Sequence, residues 1–388
     1  MEESHNPNSW SELPTDLLIS LLEHLSFTDF LRAKSVCRSW YSASRQCMPK
    51  NNHTPWLLLF SENNNNNGCC TLFNPEEKNK LYKTQDLDLE RPSLFCLKTS
   101  GSWLLMQNRF NNLYVVNLFT KERINLPPVE SQVGTTKLER GAVDFFRITL
   151  PDGSKPVKSM RIRSPVFWID EKTKDYVVAW GLGPCCVVYS KKGDNSWLQI
   201  PEALDCFDMV YKDHKLYFLS ESRDFIIFDF SGEAPQQCFW VRCVYVERFY
   251  TSGPRRPHPS NKKRLSSTKL VVTVSGDVLK VETFVRSLSR IWSFRIFKVC
   301  SSGLFERVKS LGDEAMLLEL GITVVANNNE GISRNSIYFR GCYNDNTCDI
   351  SLFNLETRKM EKLHKLDCSS DKLSANRWFL PSFTQGMA

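Results

Sequence analysis

Two stretches far apart in this chain carry the same local pattern. Val116-Asn117-Leu118-Phe119-Thr120-Lys121 is closed by Leu126, and Phe353-Asn354-Leu355-Glu356-Thr357-Arg358 is closed by Leu363. In both, an apolar residue precedes Asn, a base follows four positions after it and a Leu nine positions after it. Phe73-Asn74-Pro75-Glu76-Glu77-Lys78 repeats the Asn-to-Lys offset, and segments around Tyr189, Asp229 and Lys298 repeat the outline of strand, polar turn and strand. Asn and Asp tolerate left-handed backbone and bond their own main chain, so the pattern marks a hairpin corner between a blade's outer strands. Corners recurring at intervals of roughly 40 to 70 residues fit a β-propeller, whose blade takes about 40–50 residues. The longer intervals leave room for an insertion or a further weak blade, which puts the blade number at six or seven.

The rest of this region agrees. Short apolar runs rich in β-branched and aromatic residues, such as Trp56–Phe60, Leu113–Leu118, Tyr176–Trp180, Lys215–Leu219, Phe225–Phe230, Leu270–Val274 and Ser336–Phe339, are bounded by Gly, Asn, Asp, Pro and Lys. Their length predicts strands. The 388 residues amount to about two to three domain lengths, enough for a small module joined to a large repeat fold. A hydrophobic fraction of 41% with 12% aromatics excludes a wholly disordered chain.

Ahead of the strands the period is helical. Leu17, Leu18, Leu21, Leu22 and Leu25 share one face of a predicted helix with Pro14 in its first turn. Thr28 is the expected cap of a second helix carrying Phe30 and Leu31, and Ser35 of a third carrying Val36, Trp40 and Tyr41. So small a unit has too much surface for its volume to bury every one of these side chains internally, so part of the apolar face is expected to meet a partner.

Leu13-Pro14-x-Asp16-Leu17-Leu18, then Leu25-Ser26-x-x-Asp29-Phe30-Leu31-Arg32, then Ser35-Val36-Cys37-Arg38-Ser39-Trp40 resembles an F-box in order and spacing. The resemblance covers about a tenth of the chain. It implies docking on a Skp-type adaptor and, through it, on the cullin and RING subunits of a ubiquitin ligase. Carried over by position, it assigns adaptor binding to Leu13 and Pro14, to Leu17, Leu18, Leu21 and Leu25 on the adaptor-facing or core side of the first helix, and to Val36, Cys37 and Trp40. The segments Phe294–Val299, Val308–Leu318, Asn335–Phe339 and Phe353-Asn354-Leu355 are similar to the end of a plant F-box group whose propeller-like domain replaces kelch or leucine-rich repeats. That likeness names no target.

Chemistry of other kinds does not assemble. Gly181-Leu182-Gly183 lacks the third glycine of a dinucleotide fingerprint and reads as a turn, and no nucleophile elbow or Gly-Lys-Ser/Thr phosphate loop occurs. His214 reads as an exposed hairpin residue rather than a general base, and His53, His214, His258 and His364 are too few and scattered for a copper site. The 14 cysteines, with no Cys-x-x-Cys among them, are expected as reduced core thiols, with no metal and no cofactor. Apolar runs near five residues are too short to span a bilayer, and the acidic N-terminus lacks a secretory pattern, so the nucleus and/or cytoplasm is the expected location. Net charge is +7, spread thinly enough to require no nucleic acid. Its sharpest cluster, Arg255, Arg256, Lys262, Lys263 and Arg264, reads as a solvated loop or as a nuclear-import or anion-binding arm. Most of the eight tryptophans beyond the helices are expected between blades, with one or two free to anchor a peptide or a sugar at a face.

The expected architecture is an α+β multidomain chain: a three-helix F-box over 10–48, a linker over 49–53 and an all-β propeller of six or seven blades over 54–384. The expected function is the non-catalytic substrate-recognition subunit of an SCF-type ubiquitin ligase that binds a protein target. The alternatives are an F-box interaction protein acting outside the ligase and a glycan-binding propeller.

Overall fold

The computed structural model describes residues 10–25, 27–47, 56–60, 70–74, 81–84, 95–108, 110–141, 146–150, 162–183, 185–243, 263–286, 292–326, 332–342, 348–365 and 377–379. Three short helices come first: α1 (Thr15–His24), α2 (Phe27–Ala33) and α3 (Arg38–Ser44). Pro14 caps α1 with its carbonyl, which accepts from the N–H groups of Leu17 and Leu18 at 3.0 and 3.1 Å. Two expected caps are corrected. Thr28 lies inside α2, and Ser35 falls in the turn before Cys37, whose extended backbone (φ −162°, ψ 177°) makes it the N-cap of α3. Leu18, Leu22, Phe30, Ala33, Ala43 and Cys47 form the core of this unit.

The remainder is β-structure arranged in blades. Blade 1 holds β1 (Trp56–Phe60), β2 (Cys70–Phe73) and β3 (Leu81–Lys83); blade 2 holds β4 (Phe95–Ser100), β5 (Trp103–Gln107), β6 (Leu113–Asn117) and β7 (Arg123–Asn125). A hairpin of β8 (Lys137–Arg140) and β9 (Phe146–Thr149) follows. Blade 3 holds β10 (Ile162–Ile169), β11 (Tyr176–Leu182), β12 (Cys186–Lys191) and β13 (Leu198–Ile200). Blade 4 holds β14 (Cys206–Lys212), β15 (Lys215–Ser220), β16 (Asp224–Asp229) and β17 (Gln236–Arg242), and blade 5 holds β18 (Lys263–Val272), β19 (Val278–Arg286), β20 (Trp292–Val299) and β21 (Phe305–Val308). Blade 6 departs from this pattern. It comprises β22 (Glu314–Leu317), β24 (Ser336–Cys342), β25 (Cys348–Asn354) and β26 (Met360–Lys365), while β23 (Ile322–Val325) bridges β22 to β18 and fuses blades 5 and 6 into one nine-stranded sheet. The last strand, β27 (Arg377–Phe379), returns to blade 1 as its innermost strand, with Trp56 opposite Phe379 and Leu57 opposite Trp378.

The ring is held by apolar layers between consecutive blades. Leu104, Met106 and Phe379 join blades 1 and 2; Val115, Trp180 and Trp197 join 2 and 3; Val187, Phe218 and Phe228 join 3 and 4. Tyr217, Leu270 and Val272 join 4 and 5, Val281, Ile337 and Phe339 join 5 and 6, and Leu57 and Trp378 pack with Leu363 where blade 6 meets blade 1. A strand covered on both faces reads as a continuous apolar run, as β1 and β11 do, with every residue buried. Outer strands such as β3 and β7 are mostly exposed.

The six corners picked out in the sequence fall at or beside the turn from the third to the fourth strand of the six blades, so six is the blade count among the described residues. Among the described residues, the longer intervals hold the β8–β9 hairpin and the strands β17 to β20, and no seventh blade. The source of the left-handed backbone is a correction. Asn117 and Asn354 are the acceptors: the Oδ1 of Asn117 bonds the N–H groups of Phe119 (2.9 Å) and Thr120 (3.0 Å), and that of Asn354 bonds those of Glu356 (3.0 Å) and Thr357 (2.9 Å). Positive φ belongs to the base four positions later, 63° at Lys121 and 55° at Arg358, which closes the loop back onto the strand. Another boundary shifts too: Gly181 and Leu182 end β11, and only Gly183 (φ 55°) turns.

Candidate functional site

The helical unit divides its leucines into two adjacent rows. Leu18 and Leu22, one turn apart, are buried, while Leu17 and Leu21, on the neighbouring row, are 53% and 42% exposed. Val36 in the turn before α3 and Tyr41 on α3 are exposed as well, and so is Trp10, whose carbonyl accepts from Trp40 Nε1 at 2.9 Å and whose ring lies 6.5 Å from that of Trp40. Among the sequence-predicted residues, Pro14, Leu17, Leu21 and Val36 therefore lie on the outer surface. Leu13, Leu25, Cys37 and Trp40 are half-buried, and Leu18 belongs to the unit's own core. Trp10 and Tyr41 were absent from the sequence-based set; an aromatic residue just before the Leu-Pro start was the available signal for Trp10. The Cys37 thiol is held below its ordinary value by the hydroxyl of Ser39, 3.0 Å away.

The second site is the propeller's axial channel, a cavity of about 270 Å³. The inner strands β4, β10, β14, β18 and β27 line it, together with the turn Leu318–Gly321 between β22 and β23. That turn is shaped by Gly321 (φ 74°), whose carbonyl accepts from Val272 N–H at 2.9 Å, and a Cβ there would come within 2.8 Å of Val210. Six charged side chains line the channel: Lys98, Asp208, Lys269, Glu319, Arg340 and Arg377. Asp208 is fully used, accepting from Ser164 Oγ (2.7 Å), Lys269 Nζ (3.0 Å) and Leu270 N–H (2.7 Å). Its charge keeps Lys269 above the ordinary lysine value against the opposing effect of burial. Lys98 Nζ donates to the carbonyls of Glu319 (2.8 Å) and Leu320 (3.3 Å). Burial, with the nearby charge of Lys269 adding to it, pushes Lys98 down to about 8. No sequence motif marked these residues, because each strand contributes one, as in Leu97-Lys98-Thr99 and Phe207-Asp208-Met209. The available signal was a charge set inside an otherwise apolar strand.

Other expectations are placed as follows. His214 sits exposed in the β14–β15 turn (φ 58°), its ring 4.9 Å from that of Trp168. Trp56, Trp103, Trp180, Trp197, Trp292 and Trp378 are buried, whereas Trp240, 53% exposed, lies on β17, the outermost strand of blade 4, away from the channel. Arg255, Arg256 and Lys262 lie outside the described residues; Lys263 and Arg264 open β18 opposite Arg286 and Val285. Among the described residues the cysteines are free thiols, and no cluster of His, Cys, Asp and Glu is arranged to hold a metal.

Residues 10–52 match the F-box domain, and residues 69–354 match the KIB1-4 beta-propeller. Of the curated relatives, the Arabidopsis thaliana F-box protein At4g22180 is 53% identical over 402 residues, covering 98% of this chain and 99% of the relative. A second from the same plant, At4g22660, is 54% identical over 400 residues and covers 99% and 100%, and At2g05970 is 40% identical over 402 residues and covers 99% of each. Among solved structures, apo AztD from Citrobacter koseri matches with a TM-score of 0.34 and 9% identity over 85% of this chain and 100% of that one, too remote to carry functional meaning. A helical unit with an unspent apolar face, a six-bladed ring and relatives matched end to end place this chain in the plant family of F-box proteins that carry a KIB1-4 β-propeller.

Proposed function

We propose that this protein is the substrate-recognition subunit of an SCF-type ubiquitin ligase, with its helices on a Skp-type adaptor and its propeller presenting a target protein. The observation that carries the reading is the apolar face of Trp10, Leu17, Leu21, Val36 and Tyr41, left exposed although Leu18 and Leu22 already fill the core. Full burial of such a side chain is worth about 1.5–3 kcal/mol, and because each is already about half covered, a partner that removes the rest from water gains on the order of half of that per residue. The first propeller strand after the helices, β1, begins at Trp56, beside Phe379, where the inner strand β27 ends. In this reading the target is met at the opposite mouth, where β14 and β18 begin, and the exposed Leu204, Phe207 and Leu265 near those strand starts support it. The chain supplies no catalytic group in this reading. It acts by holding target lysines near a charged conjugating enzyme, in the nucleus or cytoplasm, which raises the effective concentration of the reacting groups.

The test is an affinity capture from plant cell extract under proteasome inhibition, comparing the intact chain with a Leu13→Ala, Pro14→Ala, Leu17→Ala variant by mass spectrometry. Adaptor and cullin recovered with the intact chain and lost with the variant, while further partners persist, is the expected result. Their absence from a folded intact bait contradicts the reading.

A further inference from the structure

We infer that the axial channel of the propeller is a binding site for a small phosphate group carrying an ionisable P–OH, either free orthophosphate or the phosphate of a small monoester. The charged side chains lining the cavity are four cations, Lys98, Lys269, Arg340 and Arg377, and two carboxylates, Asp208 and Glu319. Asp208 is consumed by Lys269 and by its bonds to Ser164 and Leu270. Lys98 has no ion pair among the described residues, and its two hydrogen bonds go to neutral carbonyls. Burial costs this ammonium more than the nearby Asp208 and Glu319 carboxylates return, and the low value to which Lys98 is driven reports that cost.

Two further atoms show what kind of anion fits. Trp378 is 2% exposed and lines the cavity, yet its indole Nε1–H donates to nothing among the described residues. Glu319 is held by one oxygen, Oε1 accepting from the backbone N–H of Arg340 at 2.8 Å, while its buried Oε2 has no partner. The site therefore offers the Lys98 ammonium and an indole donor to acidic oxygens and, on the same turn that carries the Lys98 carbonyls, a carboxylate oxygen that needs a donor. A fully deprotonated anion such as sulfate meets the first demand and is repelled by the second. Orthophosphate keeps a P–OH near neutral pH, and a monoester, whose second proton leaves at about pH 6, retains one when bound beside Glu319; that P–OH donates to Glu319 while the charged oxygens accept from Lys98 and Trp378. At about 30 Å³ per water molecule in the liquid, a cavity of about 270 Å³ has room for a phosphate, a few attached carbons and some water.

The full-length protein, co-purified with its adaptor in phosphate-free buffer, is titrated near pH 7 with inorganic phosphate, glycerol phosphate and sulfate by calorimetry and thermal shift, at matched ionic strength with chloride. Expected are saturable binding of phosphate, sulfate weaker by about tenfold or more, and a comparable loss of phosphate affinity in Lys98→Met. Trp378→Phe removes the donor while keeping an aromatic ring, at the cost of a small cavity where the rest of the indole stood; weaker phosphate binding is expected there too, and its unfolding curve separates that loss from a folding defect. Glu319→Gln presents an amide donor in place of the carboxylate and should erase the preference for phosphate over sulfate. Glycerol phosphate binding as well as orthophosphate marks the monoester as the source; orthophosphate alone marks the free ion. Three results each overturn the inference: no saturable phosphate binding to folded wild type, equal binding of phosphate and sulfate to wild type, or phosphate affinity unchanged in both Lys98→Met and Trp378→Phe.

Discussion

Leu17 and Leu22 are the same residue on the same helix, and their opposite surroundings give opposite expectations. Leu22 is fully buried among Leu18, Phe30 and Ala43, so Leu22→Ala leaves a cavity and should cost about 2–5 kcal/mol, read as a lower denaturation midpoint. Leu17 is 53% exposed, so Leu17→Ala should stay within about 0.5 kcal/mol of wild type while adaptor affinity falls. Lys98 supplies a pH signature. Its folded value near 8 lies below the ordinary 10.5, so between the two the unfolded chain binds more protons and stability rises with pH. In phosphate-free buffer, Lys98→Met should thus gain most over wild type at and below pH 8, by at most about 3 kcal/mol, with the gap closing toward pH 10.5. Denaturation series across that range measure it, and a gap that does not change with pH would contradict the assigned burial.

At the level of the elements, the corners were the legible part. Asn117 is buried and bonds two backbone N–H groups, so Asn117→Ala should cost about 1–3 kcal/mol in a denaturation experiment. The sequence located such corners because local hydrogen bonding, not the rest of the fold, dictates Asn at that position. It misassigned the positive φ, since nothing local distinguishes the residue that accepts from the one that turns. The β22–β23 hairpin was not legible: its short apolar segments look like any other blade strand, and its entry into the channel depends on β18 and β24, which are distant in sequence. Gly321 holds that hairpin's turn in place. With positive φ and Val210 close by, Gly321→Ala should lower stability by about 1–3 kcal/mol and weaken phosphate binding at the neighbouring Glu319 and Lys98, a pair of effects that calorimetry reads together. The channel charges escaped sequence reasoning for a similar reason, since strands separated by whole blades each contribute one.

For the whole molecule, closure of the ring rests on three residues. Arg377–Phe379 form the inner strand of blade 1; Trp378 and Phe379 are buried, and Thr99 Oγ donates to the Trp378 carbonyl at 2.6 Å, tying blade 1 to blade 2. Ending the chain at residue 376 should therefore leave an open ring, seen as loss of the cooperative thermal transition and a fall in soluble yield. A closed ring explains how the helical unit can leave its apolar face unspent: the propeller is stabilised by its own inter-blade layers. In the proposed function this face is reserved for the adaptor. The direct measurement is the affinity of the purified full-length chain for a plant Skp-type adaptor, in wild type and in a Leu17→Ala, Leu21→Ala, Val36→Ala variant whose unfolding curve matches wild type. Expected are a stoichiometric complex for wild type and at least about a hundredfold weaker binding for the variant. A folded wild-type chain that binds no adaptor, or a variant that binds as tightly as wild type, would contradict that function.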